Sequence, residues 1–173
     1  IGFETTAPLI ATTIKVAKQS GIENFYVIAM HKTLPIAMGA ILGDPDNKID
    51  GLLLPGHASA ITGKNYFNFI KEHNVSGVVC DFEALGIMES IYMLTKYIND
   101  GEVNVTNNYE RLVSDEGNVK AMEALYDVFE PCDAEWRGIG VIPGTGLKIK
   151  NEYEEFDVIK QFDIKVEQID DAP

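Results

Sequence analysis

The residues of this chain with chemical potential sit just after its apolar runs. Glu4, Thr5 and Thr6 follow "IGF", and His31, Lys32 and Thr33 follow "FYVIAM". Pro55, Gly56, His57 and Ser59 follow "GLLL", and Cys80, Asp81 and Glu83 follow "SGVV". Carboxylates and imidazoles act as general acids and bases or ligate metal ions. In "PGHAS", Gly56 lets the backbone approach a ligand, and a helix starting there offers free N–H groups. Each residue also has a plainer reading. Thr5, Thr6, Thr33 and Ser59 are good helix caps, and capping alone accounts for them. Glu4, Asp81 and Glu83 suit the first turn of a helix, where the dipole favours negative charge. A lone histidine such as His31 or His57 is more often a surface or core residue than a ligand. Glu4 is the hardest to dismiss, because Glu is rarely buried without a partner and here it directly follows an apolar strand.

The elements that must position these residues alternate. Ile1–Phe3 reads as the end of a strand. A helix then runs from a Thr5 or Thr6 cap to about Ser20, with Pro8 in its first turn and Gly21 as its stop. Its buried face is expected at Ile10, Ile14 and Ala17. Phe25–Met30 is continuously apolar and predicts a strand covered on both faces. Thr33 and Pro35 open a second helix. A third strand is expected at Gly51–Leu54, then a helix starting at Ser59 or Thr62, then a fourth strand at Gly77–Cys80. The next helix, Ala84 to about Asn99, is expected to bury Leu85, Met88, Ile91, Tyr92 and Ile98. This alternation predicts an α/β domain over residues 1–106, a Rossmann-like parallel sheet with flanking helices. Ligands of such sheets bind outside the carboxyl ends of the strands. The four polar groups should therefore share one rim.

After Gly101 the pattern changes. Residues 107–173 are expected to form a smaller α+β remainder, part of a second α/β unit. "EVNVTNNYERLV", Glu102–Val113, holds room for a short strand. A helix capped by Asn118 or Asp115 follows, then extended structure through "AEWRGIGVIPGTGLKI", and a helix from Asn151. The acidic tail "DIKVEQIDDAP" is expected to fray.

Bulk properties narrow the function. The formal net charge of −13 over 173 residues argues against nucleic acid as the main partner. No stretch approaches the ~20 apolar residues of a membrane-spanning helix, and no signal peptide is visible. Two cysteines, Cys80 and Cys132, lie far apart and in no CxxC pattern, which fits reduced structural thiols. "GTG" at Gly144–Gly146 is neither a dinucleotide fingerprint nor a P-loop, and no HExxH, GxSxG or EF-hand loop occurs. The chain starts at Ile1, in what reads as mid-strand, so it reads as a fragment.

Five ordered stretches give a sharper indication: "GFETTAP", "PGHASAITG", "FEALGIMESIYML", "NNYERLVSDEGN" and "WRGIGVIPGTGLKI". Together they resemble the HypD family of nickel–iron hydrogenase maturation factors over essentially the whole chain. The resemblance implies a cytoplasmic scaffold on which an iron centre carrying cyanide and carbon monoxide is assembled and transferred. It implies a HypC-type chaperone and a HypE-type cyanide donor as partners. It also implies two α/β domains facing across a cleft, plus a [4Fe–4S] cluster in the full-length protein. Carried over motif by motif, the cleft-lining, ligand-orienting residues are Gly2, Phe3, Glu4, Thr5, Thr6, Pro55, Gly56, His57, Ser59, Phe82 and Glu83. The family's Cys-Gly-x-His motif and its cluster-binding cysteines lie outside this chain, so neither cluster nor iron is expected on it alone. The family usually has Gly before Phe-Glu, where this chain has Asp81. On this reading the chain is a cofactor-assembly scaffold with a redox role more than an ordinary enzyme. The alternative is a stand-alone metal-dependent hydrolase with His31, His57, Asp81 and Glu83 as ligands.

Overall fold

The computed structural model describes residues 1–162 and 164; the tail whose fraying was expected lies almost wholly outside the described residues. The α/β class forms, with a parallel three-stranded sheet flanked by helices and a separate antiparallel sheet.

The parallel sheet has the order β2-β3-β4, from β2 (Gly51–Pro55), β3 (Ser76–Cys80) and β4 (Val105–Asn107). β3 is central, and all five of its residues are buried, as its apolar run requires. Its register places Pro55 opposite Cys80, so β2 and β3 end together. α4 (Ala84–Asp100) and a 3-10 helix (Lys64–His73) pack on this sheet. Leu42, Leu54, Phe67, Ile70, Val75, Val79 and Val113 form its core.

The antiparallel sheet has the order β1-β6-β5, from β1 (His31–Lys32), β5 (Phe129–Trp136) and β6 (Gly140–Ile149). A bulge between Cys132 and Ala134 shifts the β5–β6 register. α1 (Ala7–Gln19) and α5 (Val119–Val128) pack against each other beside it. Ala7, Ala11, Ile14 and Ala17 recur at helical spacing and meet Leu125, Val128, Phe129, Leu147 and Phe156. The two cores therefore cross the expected 106/107 boundary: α1 shares a core with α5, and Val113 joins β2 and β3.

Several expectations are corrected. The first two strands do not extend the parallel sheet. Gly2 bridges His31 in parallel, and β1 then joins the antiparallel hairpin. Among the described residues, Phe25–Met30 holds one isolated bridge, Val27 to Asp157, and no strand. Tyr26, Ile28 and Met30 are exposed while their neighbours are half-buried, so this segment is covered on one side only. The helix after β2 starts at Gly56, not at Ser59 or Thr62 (α3, Gly56–Thr62), and the Ser59 hydroxyl donates back to the Pro55 carbonyl inside it. α4 reverses its expected face: Leu85, Met88, Ile91, Tyr92 and Ile98 are exposed, while Gly86 and Ser90 are buried. Small residues win that face because the helix lies close on the end of β3.

The Asn118 cap does form, its side chain accepting from the Ala121 N–H at 3.1 Å. The helix expected from Asn151 is a 3-10 segment, Asn151–Phe156, followed by the short α6 (Val158–Gln161).

Candidate functional site

The first motif sits at the start of α1, beside β1. Glu4 is fully buried. Its Oε1 accepts the Leu34 N–H at 2.6 Å and the Tyr66 hydroxyl at 2.7 Å, while its Oε2 has no hydrogen-bond partner among the described residues. Leu34 opens α2 (Leu34–Leu42), whose N-cap is Thr33. The Thr33 side chain makes no capping bond, so Glu4 does that work from 30 residues away. Burial and the adjacent Glu4 carboxylate push the Tyr66 phenol far above its ordinary value, and burial with Glu4 also raises Tyr126. Thr6 is the N-cap of α1, but its hydroxyl donates to the Phe3 carbonyl instead of accepting an N–H. Thr5 is half-buried beside it. Phe3 is partly exposed, with its ring 6.1 Å from that of Trp136. Gly2 follows with its backbone against Thr6, whose Oγ1 lies 2.1 Å from where a Cβ would stand.

The second and third motifs form another group at the common end of β2 and β3. Pro55 ends β2 and Gly56 opens α3. A Cβ on Gly56 would stand 2.4 Å from the Cys80 carbonyl and 2.7 Å from the Tyr109 ring. Glycine is needed here because the Cys80 backbone and the Tyr109 ring leave no room for a side chain. His57 and Phe82 are both exposed, their ring centroids 5.4 Å apart. Asp81 Oδ1 accepts the Glu83 N–H at 3.0 Å, and Glu83 is the N-cap residue of α4. Arg111 donates to Glu83 Oε1 at 2.7 Å and Asp81 Oδ2 at 3.2 Å. Cys80 is buried, its thiol directed to the Asp81 carbonyl at 3.1 Å.

The four strand ends thus gather as two pairs, one on each sheet, and the Glu4–Tyr66 hydrogen bond joins them. Tyr66 lies on the 3-10 helix of the parallel-sheet core, 62 residues from Glu4. His31 does not join His57, Asp81 and Glu83. It is buried, 5.6 Å from the Phe129 ring, and burial holds its imidazole below the ordinary value. Among the described residues no group of three or more His, Cys, Asp or Glu side chains could hold a metal ion. Asp81 and Glu83 are instead occupied by Arg111. The hydrolase ligand set is therefore not brought together.

Tyr66, Tyr109 and Arg111 are the residues that sequence reasoning missed. Tyr66 carries no local signal at all. Tyr109 and Arg111 were visible only as part of "NNYERLV", with nothing to connect them to turns about 30 to 50 residues earlier.

Comparison with known proteins agrees with these motifs. The profile of the family described as "Hydrogenase formation hypA family", HypD, matches residues 1–173. The hydrogenase maturation factor HypD2 of Bradyrhizobium diazoefficiens is 40% identical over 181 residues, covering 100% of this chain and 48% of that protein. The hydrogenase maturation factor HypD of Escherichia coli is 38% identical over 177 residues, covering 100% of this chain and 47% of its own length. That of Cupriavidus necator is 35% identical over 179 residues, covering 99% and 47%. The chain spans about half the length of the curated relatives it matches. No helix among the described residues is long and apolar enough to cross a membrane. With the family profile matching from the first residue to the last, the chain belongs to the HypD family of hydrogenase formation proteins.

Proposed function

We propose that this chain is part of a cytoplasmic maturation factor that holds an iron centre bearing cyanide and carbon monoxide during its assembly. The iron centre is the cargo. A HypC-type chaperone would receive it and a HypE-type donor would supply cyanide. The observation that carries this reading is the Glu4–Tyr66 hydrogen bond. It ties the Gly2–Thr6 motif to the unit bearing Pro55–Ser59 and Phe82–Glu83. A scaffold needs such a fixed relation, because small displacements of orienting groups cost about a hundredfold in a positioned reaction. In this arrangement His57 and Phe82, being exposed, face the cargo. His57 donates or accepts a hydrogen bond at a diatomic ligand, and Phe82 excludes water. Glu4 stays behind them as an orienting anchor.

A [4Fe–4S] cluster takes four protein ligands, usually thiolates. This chain has two cysteines, Cys80 in the parallel sheet and Cys132 in the antiparallel one. Its residues do not fit such a cluster.

The test is infrared spectroscopy of the whole protein purified anaerobically with its small chaperone. Bands of iron-bound cyanide and carbon monoxide are expected. His57→Ala should lower their intensity at least about tenfold, with the melting temperature unchanged. Full band intensity and full hydrogenase maturation in His57→Ala would overturn the assignment.

A further inference from the structure

Arg111 is remote in sequence from the turn it holds. Its guanidinium reaches Glu83 Oε1 and Asp81 Oδ2 across 28 and 30 residues. It also lies 5.0 Å above the ring of Tyr109. That ring is packed on Gly56 so tightly that a Cβ there would stand 2.7 Å from it. The same short segment makes further ties. The Asn108 N–H donates to the Val79 carbonyl at 2.9 Å, and its side-chain amide donates to the Gly86 carbonyl at 3.2 Å and Ser90 Oγ at 3.0 Å. Asn107 turns the segment, its Oδ1 accepting the Tyr109 N–H and its Nδ2 donating to the Val113 carbonyl. Three structures meet on these residues: the Gly56 turn, the Asp81–Glu83 turn and the first turns of α4.

The charge arrangement singles out Arg111 within this group. The Asp81 side chain is only 11% exposed. It is pressed onto α4 so closely that a Cβ at Gly86 would stand 2.1 Å from its Oδ1. A nearly buried carboxylate is costly unless paired. Arg111 is its cationic partner and ties the same turn again through Glu83. Phe82 lies between these two anchored carboxylates, with its ring beside His57.

We infer that Arg111 is a positioning residue: with Tyr109 it braces the Asp81–Glu83 turn against the Gly56 turn, and so holds Phe82 beside His57. This deepens the scaffold reading and rests on it for its functional consequence. The brace itself is a separate claim. Without Arg111, Asp81 is left nearly buried and unpaired. The turn then moves outward to solvate it, and Phe82 leaves His57.

The experiment compares whole-protein variants by hydrogen exchange with mass spectrometry and by infrared spectroscopy with the chaperone bound. Arg111→Met keeps the apolar stem and removes the charge and the donor to both carboxylates. It should speed amide exchange in peptides covering residues 81–87 by about tenfold or more. Peptides covering the antiparallel sheet and the melting temperature should stay as in the parent. Iron-bound cyanide bands should weaken and shift in frequency, because the groups around the cargo move. Arg111→Lys keeps the cation but loses the planar guanidinium above the Tyr109 ring, and should restore the parent only in part. Adding Asp81→Asn to Arg111→Met should return exchange toward the parent, since the amide still accepts the Glu83 N–H and the only charge left unpaired, Glu83, is exposed. Parent-like exchange in Arg111→Met overturns the brace. Faster exchange with unchanged band intensity and frequency overturns its role in positioning. A parent protein lacking the bands defeats the scaffold reading, and the exchange measurement still decides the brace.

Discussion

At Glu4 one carboxylate oxygen does two jobs and the other does none. Oε1 accepts the first N–H of α2 and the Tyr66 hydroxyl, and Oε2 is buried without a partner among the described residues. Glu4→Ala orphans two half-buried donors, and each such loss costs up to roughly 1–3 kcal/mol. Urea unfolding should therefore show a loss of about 2–5 kcal/mol for Glu4→Ala. Glu4→Gln, which keeps an acceptor at Oε1, should lose clearly less. Equal losses in the two variants would mean that the acceptor is not what matters. His31 makes a pH prediction. Its imidazole is held below the ordinary value mainly by burial. In the unfolded chain it titrates near about 6.5. Above that pH both states are neutral and its stabilisation is complete. As pH falls below it, the unfolded chain binds the proton first, so stability drops until the folded imidazole also protonates. Melting temperature measured from about pH 7 downward should fall, and His31→Gln should flatten that fall.

Among the elements, the join between β2, β3 and α3 is tight. Gly56 meets backbone, the Cys80 carbonyl, on one side and an aromatic ring on the other, and neither can yield cheaply. Gly56→Ala should destabilise by about 3 kcal/mol or more, since overpacking against fixed neighbours lies at the top of its usual range. Gly86→Ala should act differently. It meets the Asp81 side chain, which can rotate away, so it should release Asp81 from Arg111 at smaller thermodynamic cost. Chemical denaturation of the two variants separates these cases, and a Gly86→Ala loss as large as that of Gly56→Ala would contradict the difference. α4 teaches a related lesson. Its apolar residues at helical spacing predicted a buried Leu85–Met88–Tyr92 face, yet Gly86 and Ser90 lie inward. Periodicity finds a stripe, but it cannot say which stripe faces the sheet when the sheet end is too close for large side chains.

For the whole molecule, stability rests on two cores that exchange segments of the chain. Ile14 and Phe129 belong to one, Phe67 and Ile70 to the other, and all four are fully buried. Phe67→Ala and Phe129→Ala should each cost about 3–5 kcal/mol. The exposed α4 positions should behave otherwise. Leu85→Ser and Tyr92→Ser should change stability by no more than about 0.5 kcal/mol, measured by thermal and urea unfolding. A large loss at Leu85 would show that this face is packed in solution. The Glu4–Tyr66 bond crosses from one core to the other, so its removal should lower the cooperativity of unfolding as well as its midpoint.

The sequence by itself determined the α/β class, parallel strands at Gly51–Leu54 and Gly77–Cys80, a helix cap at Asn118 or Asp115, extended structure through "AEWRGIGVIPGTGLKI" and the family motifs. All of these rest on local patterns: apolar runs, capping side chains, turn residues and contiguous short motifs. Only the tertiary structure decided that the strand ends form two pairs on two sheets, because sheet membership depends on β6, more than a hundred residues after β1. It alone placed Glu4 on the first N–H of α2, Tyr66 on Glu4, and Arg111 on Asp81 and Glu83. Those contacts join residues about 30 to 60 positions apart, and no periodicity, cap or turn rule reaches that far. Such pairs become visible only when packing of the two cores has fixed where each backbone segment lies.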